Sequence, residues 1–333
     1  MSSAQTPTTT RKSLLTPNGV TYGYSTSPPS SVETANKPTI FFLHGYPDDR
    51  TAWDSQVVHF TRLGYGAIVP DMLGYGETDK PDPEDVGEYR YKKMAESLVK
   101  ILDEEGVEKV IVAAHDWWQP TPPMGSESDT KPENVWANYT HLWIIRGVPL
   151  ATRLALYYPE KIIANIWTCV VYFPPSPIKT DLKTINHMLK GICGFQPFAY
   201  VWLLHLPKIF PPAAHPSKLM APHHSYWEFM IKPTSPSLMR QNIQSTLSIL
   251  FPKDFYPTWR STLCEPGKFE AWITSNKTCE VAEWLTPRMQ DEFKARMTRD
   301  GFPLNWYRAH AENWNWEDEL RIVHPSPQPP LKN

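Results

Sequence analysis

"VIVAAHDWWQPTPPMGSESD", residues 110 to 129, begins with five small apolar residues and then breaks into tryptophans, prolines and serines. The unbroken apolar run is the pattern of a strand covered on both faces of its sheet. Asp116 then stands at the carboxyl end of that strand, where open α/β sheets collect their reactive groups. Upstream, "TIFFLHG" (39 to 45) and "YGAIVPD" (65 to 71) are runs of the same kind, and "GVTYGYS" (19 to 25) is β-rich beside a turn. Between them, "YKKMAESLVKILDEEG" puts Met94, Ala95, Leu98, Val99, Ile101 and Leu102 on one helical face, with Gly106 where the helix stops. Downstream, "GVPLATRLALYYPEK" (147 to 161) predicts a second amphipathic helix and "IANIWTCVVYF" (163 to 173) a further buried strand. Strand, helix, strand in this order predicts an α/β fold with a mainly parallel sheet.

Beyond about residue 175 the texture changes to short aromatic-rich segments punctuated by proline, which predicts a mainly helical lid. The expected layout is a core over 13–174 interrupted by 118–146, a lid over 175–305, and a return toward the core with a proline-rich tail over 306–333. The 333 residues suffice for one large domain with an insertion. A net charge of −2 argues against nucleic acid as a partner. No apolar run approaches the roughly 20 residues of a membrane helix, and "MSSAQTPTTTRK" has no apolar signal core. A cytoplasmic protein is expected, with a peroxisomal address left open. Cys169, Cys193, Cys264 and Cys279 lack the close spacing of a zinc or redox motif, so no metal is expected. The sequons at Asn138 and Asn276 carry little weight without an export signal. Proline is the anomaly: 35 against 15 glycines, gathered at the polar start, in 119 to 132 and in the tail.

A reactive side chain on a tight strand-to-helix turn needs small residues two positions to either side. Ala114 fits the first position. No G-x-S-x-G occurs anywhere in the chain, which leaves the carboxylate of Asp116 as the candidate nucleophile. Three further segments accompany it: "HGYPDDRTAWDSQ" (44 to 56), "DMLGYGETDKP" (71 to 81) and "PLNWYRA" (303 to 309). With "AHDW", these four motifs, in this order, closely resemble the epoxide hydrolases of the α/β-hydrolase superfamily. The resemblance runs over about 13–117 and 147–320.

The resemblance implies an α/β-hydrolase core with a helical lid, acting on a small-molecule epoxide without metal or organic cofactor. It implies that Asp116 attacks an epoxide carbon and forms an ester. Two lid tyrosines protonate the departing oxygen: Tyr307 in "PLNWYRA", and Tyr226 in the shorter match "HHSYWEFM". A phenol donates a hydrogen bond at neutral pH and can follow a developing charge. Backbone N–H groups of Tyr46 and Trp117 form the oxyanion hole for ester hydrolysis, and His44 organises the loop. A haloalkane dehalogenase, which also pairs an aspartate nucleophile with a following tryptophan, is the nearest rival; Tyr46 and the paired tyrosines count against it. A non-catalytic relic, or a faulty gene reading, is the competitor from another class. The oligomeric state is not legible.

Two departures stand out. In the family the aspartate is followed by W-G and then directly by a helix, whereas here residues 118–146 intervene and Trp118 takes the small position. Without them, "AAHDWGVPLATRLALYYPE" restores Gly147 as the second small residue, the pattern of an unspliced intron read in frame, with a true loop insertion as the alternative. The family also carries two more core strands, with an acid and a histidine that activates water. Neither is legible before Asn333, so the expectation is a core without its C-terminal strands. His310 and His324 read as packing or surface histidines, and the chain is expected to be inactive or impaired.

Overall fold

The structure, a computed structural model, describes residues 9–29, 37–82, 86–115, 147–168, 175–176, 179, 226–263 and 265–323. The described residues fall into two compact units. One contains 9–115, the described residues between 147 and 179, and 308–323; the other contains 226–307.

The first unit is built on a sheet of six strands among the described residues: β1 Thr10–Leu15, β2 Thr21–Ser27, β3 Thr39–Leu43, β4 Gly66–Pro70, β5 Val110–His115 and β6 Ile162–Thr168, in the spatial order β1-β2-β4-β3-β5-β6. The β1/β2 and β2/β4 pairs are antiparallel; β4, β3, β5 and β6 run parallel. The apolar runs form the centre, because a strand flanked on both sides and covered on both faces has no polar side to show. β4 is buried along its whole length. On one face, Ile40, Phe42, Ala67, Val69 and Ala113 pack with Trp53 and Val57 of the segment that leads into and forms α1, Asp54–Arg62. α2, Tyr91–Glu104, packs with α3, Gly147–Tyr157, and Leu98, Ile101, Leu102, Leu150 and Leu154 are fully buried. Each such side chain contributes about 1.5–3 kcal/mol of burial. Gly106 follows α2 at φ +64°, the left-handed conformation that ends a helix.

One strand was not expected from the sequence, and one strand expectation needs correction. β1, "TRKSLL", is an outer strand whose side chains are nearly all exposed, so it lacks the apolar alternation that marks a half-buried strand. β6 was expected to be buried and is not: Ile163 is 51% and Ile166 47% exposed. The cause is its place at the end of the described sheet, where β5 is its one strand partner among the described residues. Residues 169–173 of that expected strand lie outside the described residues.

The described part of the second unit is helical: α4 Tyr226–Met230, α5 Ser235–Gln241, α6 Ile243–Leu250, α7 Phe255–Thr262, α8 Lys268–Thr274 and α9 Pro287–Asp300. α9 has the full set of end signals. Thr286 accepts from the Met289 N–H, Pro287 opens the first turn, and Gly301 at φ +69° closes the last. The expected single run "NWYRAHAENWNWEDEL" is two helices, α10 Asn305–Ala311 and α11 Trp316–Val323, separated by a turn in which Asn313 adopts φ +62°.

Candidate active site

Parallel pairing brings two carboxyl ends together. Leu43, the last residue of β3, is in register with Ala114 of β5, so His44-Gly45-Tyr46 and His115 leave the sheet side by side. β3 is followed in sequence by β4 on one flank and flanked by β5 on the other, which makes this the reversal point of the strand order. Such points form the crevice where α/β sheets take ligands.

The loop after β3 is tied at every step. Asp48 N–H donates to the Gly45 carbonyl at 3.1 Å, and the Tyr46–Pro47 peptide is cis. His44 is buried; its Nδ1 lies 3.0 Å from the Gly45 carbonyl, and its Nε2 accepts from the Met72 N–H at 2.9 Å. A carbonyl can only accept and an N–H can only donate, so Nδ1 carries the proton and Nε2 does not. His44 therefore links the loops at 44–48 and 71–78, in keeping with an organising role. The Asp49 carboxylate accepts from the Thr51 N–H at 3.0 Å and caps the short helix Arg50–Trp53.

Beneath this loop lies an ionic hub that the sequence did not reveal. Asp71, fully buried, accepts from the Arg50 N–H at 2.9 Å and the Glu77 N–H at 2.8 Å, and pairs with the Arg50 guanidinium. Arg50 also reaches Glu77 at 3.1 Å. Gly76, at φ +54°, passes so close that an added Cβ would lie 2.1 Å from the Asp71 carboxylate. "DMLGYGE" was legible as a motif, but nothing in its spacing announced Arg50 as the partner.

At the other carboxyl end, the His115 ring meets Trp53 edge to face, with centroids 6.0 Å apart. Burial pushes its pKa below the ordinary value, and His44 adds to this while Asp48 opposes it. Gly147, the first residue of α3, sits against the same strand end. An added Cβ there would lie 2.3 Å from the His115 carbonyl oxygen and 3.1 Å from that of Leu43. The two flanks of residues 116–146 thus touch. Asp116 and Trp117 themselves lie outside the described residues.

In the second unit, the structure brings the two expected tyrosines together. Tyr226 and Tyr307 are both buried, with ring centroids 6.2 Å apart in an edge-to-face contact. Trp227 packs on Tyr307 at 5.2 Å and Phe269 on Tyr226 at 6.4 Å. Tyr226 N–H donates to the Leu263 carbonyl and Tyr307 N–H to that of Leu304. Tyr46 belongs to the first unit.

His310 is not suited to be a general base near neutral pH. Burial, helped by the charge of Arg153, pushes its pKa down to about 4. His324 lies outside the described residues. Among the described residues no group of three or more His, Cys, Asp or Glu side chains converges as a metal site requires. None of the described helices is long and apolar enough to cross a membrane.

Comparison with known proteins agrees with this geometry. The family described as alpha/beta hydrolase fold matches residues 38–117, which include β3, β4, β5 and the loops between them. Bifunctional epoxide hydrolase 2 of Mus musculus is 22% identical over 90% of this chain and 44% of its own length. Epoxide hydrolase 3 of Siraitia grosvenorii is 40% identical over 42% of this chain and 34% of its own. The chain thus spans less than half the length of these relatives. Among solved structures, epoxide hydrolase A from Mycobacterium thermoresistibile superposes with a TM-score of 0.61 at 21% identity, covering 93% of this chain and 76% of that one. An epoxide hydrolase of Vigna radiata gives 0.55 at 19% identity, over 93% and 73%. The chain has the α/β-hydrolase fold, and the curated and solved proteins named here that it resembles are epoxide hydrolases.

Proposed function

We propose that the chain carries the framework of an epoxide-opening site in which Asp116 is the nucleophile. Chain connectivity keeps the Cα of Asp116 about 3.8 Å from that of His115, beside the loop that carries Tyr46. The carboxylate attacks an epoxide carbon, the ring C–O bond breaks, and the released oxygen takes a proton from Tyr226 or Tyr307. The ester is then hydrolysed through an oxyanion that accepts hydrogen bonds from the N–H groups of Tyr46 and Trp117. Water adds to the ester carbonyl and the acyl C–O bond breaks: the diol leaves with one former Asp116 oxygen as its second hydroxyl, the water oxygen enters the regenerated Asp116 carboxylate, and the remaining proton returns to the tyrosinate.

One observation carries this reading: Gly147 packed against the His115 carbonyl. In a four-residue turn the first carbonyl faces the fourth residue. Gly147 stands where the fourth residue of a turn His115, Asp116, Trp117, Gly147 belongs. In this chain Trp118 holds that place in sequence, and the 118–146 stretch separates Trp117 from the helix it should enter. The separation of Trp117 from Gly147 in sequence is expected to slow ester hydrolysis more than ester formation, so an ester on Asp116 accumulates ahead of diol.

The test is to incubate the full chain with a styrene-type epoxide, assay diol, and map added mass by peptide mass spectrometry. An adduct on Asp116 with little diol is expected. Diol at ordinary enzyme rates refutes the impairment; an adduct on another side chain, or none on prolonged exposure, refutes the nucleophile. Halide release from a chloroalkane without epoxide opening would favour a dehalogenase.

A further inference from the structure

In the first unit the chain departs after Lys179 and comes back at Arg308. α11 lies just past that return, and three residues at its start, Asn315 just before it and Asp318 and Glu319 within it, bond to other elements. Asn315 accepts from the Tyr91 N–H at 2.6 Å, capping the start of α2. Asp318, buried, accepts from Arg90 Nε at 2.9 Å, at the residue preceding α2. Glu319, also buried, accepts from Arg153 Nε at 3.0 Å, while its other oxygen takes the Ser176 N–H at 2.9 Å.

Arg153 is fully buried on α3, the helix that begins at Gly147. Its guanidinium also lies 5.7 Å from the centroid of the Tyr91 ring and donates to Thr152 Oγ1. Glu319 therefore joins three things: the helix that starts at the elbow, the chain just before it leaves the unit, and the chain just after it returns. A buried ion pair adds little net stability over a well-packed apolar pair, because desolvation offsets the attraction; its best-attested use is to select one arrangement among several. A guanidinium whose Nε and Nη2 both donate to one carboxylate oxygen, Oε1, fixes direction in a way that a single ammonium does not.

We propose that Arg153 and Glu319 are positioning residues: they lock α3 to the two stems of the inserted unit and so hold Gly147 against the end of β5. The positioning of the elbow rests on the functional reading given above; the lock itself does not. Glu319 is thereby a specificity device for one helix placement, and its loss removes the carboxylate paired with the buried Arg153.

Hydrogen exchange of the full chain, wild type against Glu319→Gln, tests the lock. Peptides covering 147–157 and 315–323 should exchange at least about tenfold faster in the variant, with a smaller change in the β1/β2 peptides. An equal rise throughout, or none, overturns the proposal. Arg153→Lys keeps the charge but not the paired geometry and should show a weaker rise in the same two regions. If Glu319→Gln does not accumulate folded, Arg153→Lys decides alone by the same regional criterion. The rate of epoxide adduct formation on Asp116, followed in parallel, should drop to about a tenth in Glu319→Gln; an unchanged rate beside faster exchange overturns positioning of the elbow. Absence of adduct in the wild type refutes the functional reading and leaves the lock to be judged by exchange.

Discussion

The connections that leave β3 and β5 start side by side from registered strand ends, yet they differ greatly in length before the next helix, residues 44–49 against 116–146. The first is fixed within a few residues by His44, the Asp49 cap and the Asp71–Arg50 pair. The second is defined at its two feet, His115 and Gly147, which touch across 31 intervening residues. The sheet sets where a reactive turn must stand; whether the turn forms depends on the residues between its feet. Closing a loop of that length costs only about 3 kcal/mol of entropy, so a sheet can hold the feet together regardless of what the stretch between them does.

The sharpest way to break the contrast is to loosen the tied loop. Asp71→Ala leaves the Arg50 guanidinium buried beside fewer acceptors and should cost about 3–5 kcal/mol of stability by urea unfolding; a loss below about 1 kcal/mol would show that the hub is dispensable. The converse is to shorten the longer connection. Deleting 118–146 joins Trp117 to Gly147 and should speed adduct formation on Asp116 about 100-fold, measured as labelled protein against time. No acceleration would mean that the feet, though close, are not those of one turn. Gly147→Ala puts a methyl group against the His115 carbonyl and should destabilise by about 1–3 kcal/mol; an unchanged unfolding midpoint would contradict the close approach.

The smallest effect is in the response to pH. His115 and His310 both have folded pKa values below the ordinary 6.5, the latter about 4. The unfolded chain therefore binds more protons in this range, so stability is full above about pH 6.5 and falls as pH drops toward 4. Replacing both, His115→Gln with His310→Gln, should flatten that part of the curve of unfolding midpoint against pH.

Much of the first unit was readable because burial on both faces leaves a plain trace. β3, β4 and β5 are apolar runs, and the six apolar residues assigned to the inner face of α2 are all buried. β1 escaped because an exposed outer strand such as "TRKSLL" has no apolar side to alternate. β6 misled for the opposite reason: its composition is that of a core strand, but exposure depends on neighbours that composition does not encode. Motif order pointed to Tyr226 and Tyr307, 81 positions apart, and they meet. The ion pairs were invisible. Arg50 and Asp71 are 21 residues apart and Arg153 and Glu319 are 166 apart, and no periodicity links partners at such distances.

β6 also bears on how the protein behaves in the tube. It shows about half of two isoleucine side chains, Ile163 and Ile166. A polar substitution there removes little buried surface and should leave the urea midpoint nearly unchanged, within about 0.5 kcal/mol. Lysine in place of Ile163 is the direct check.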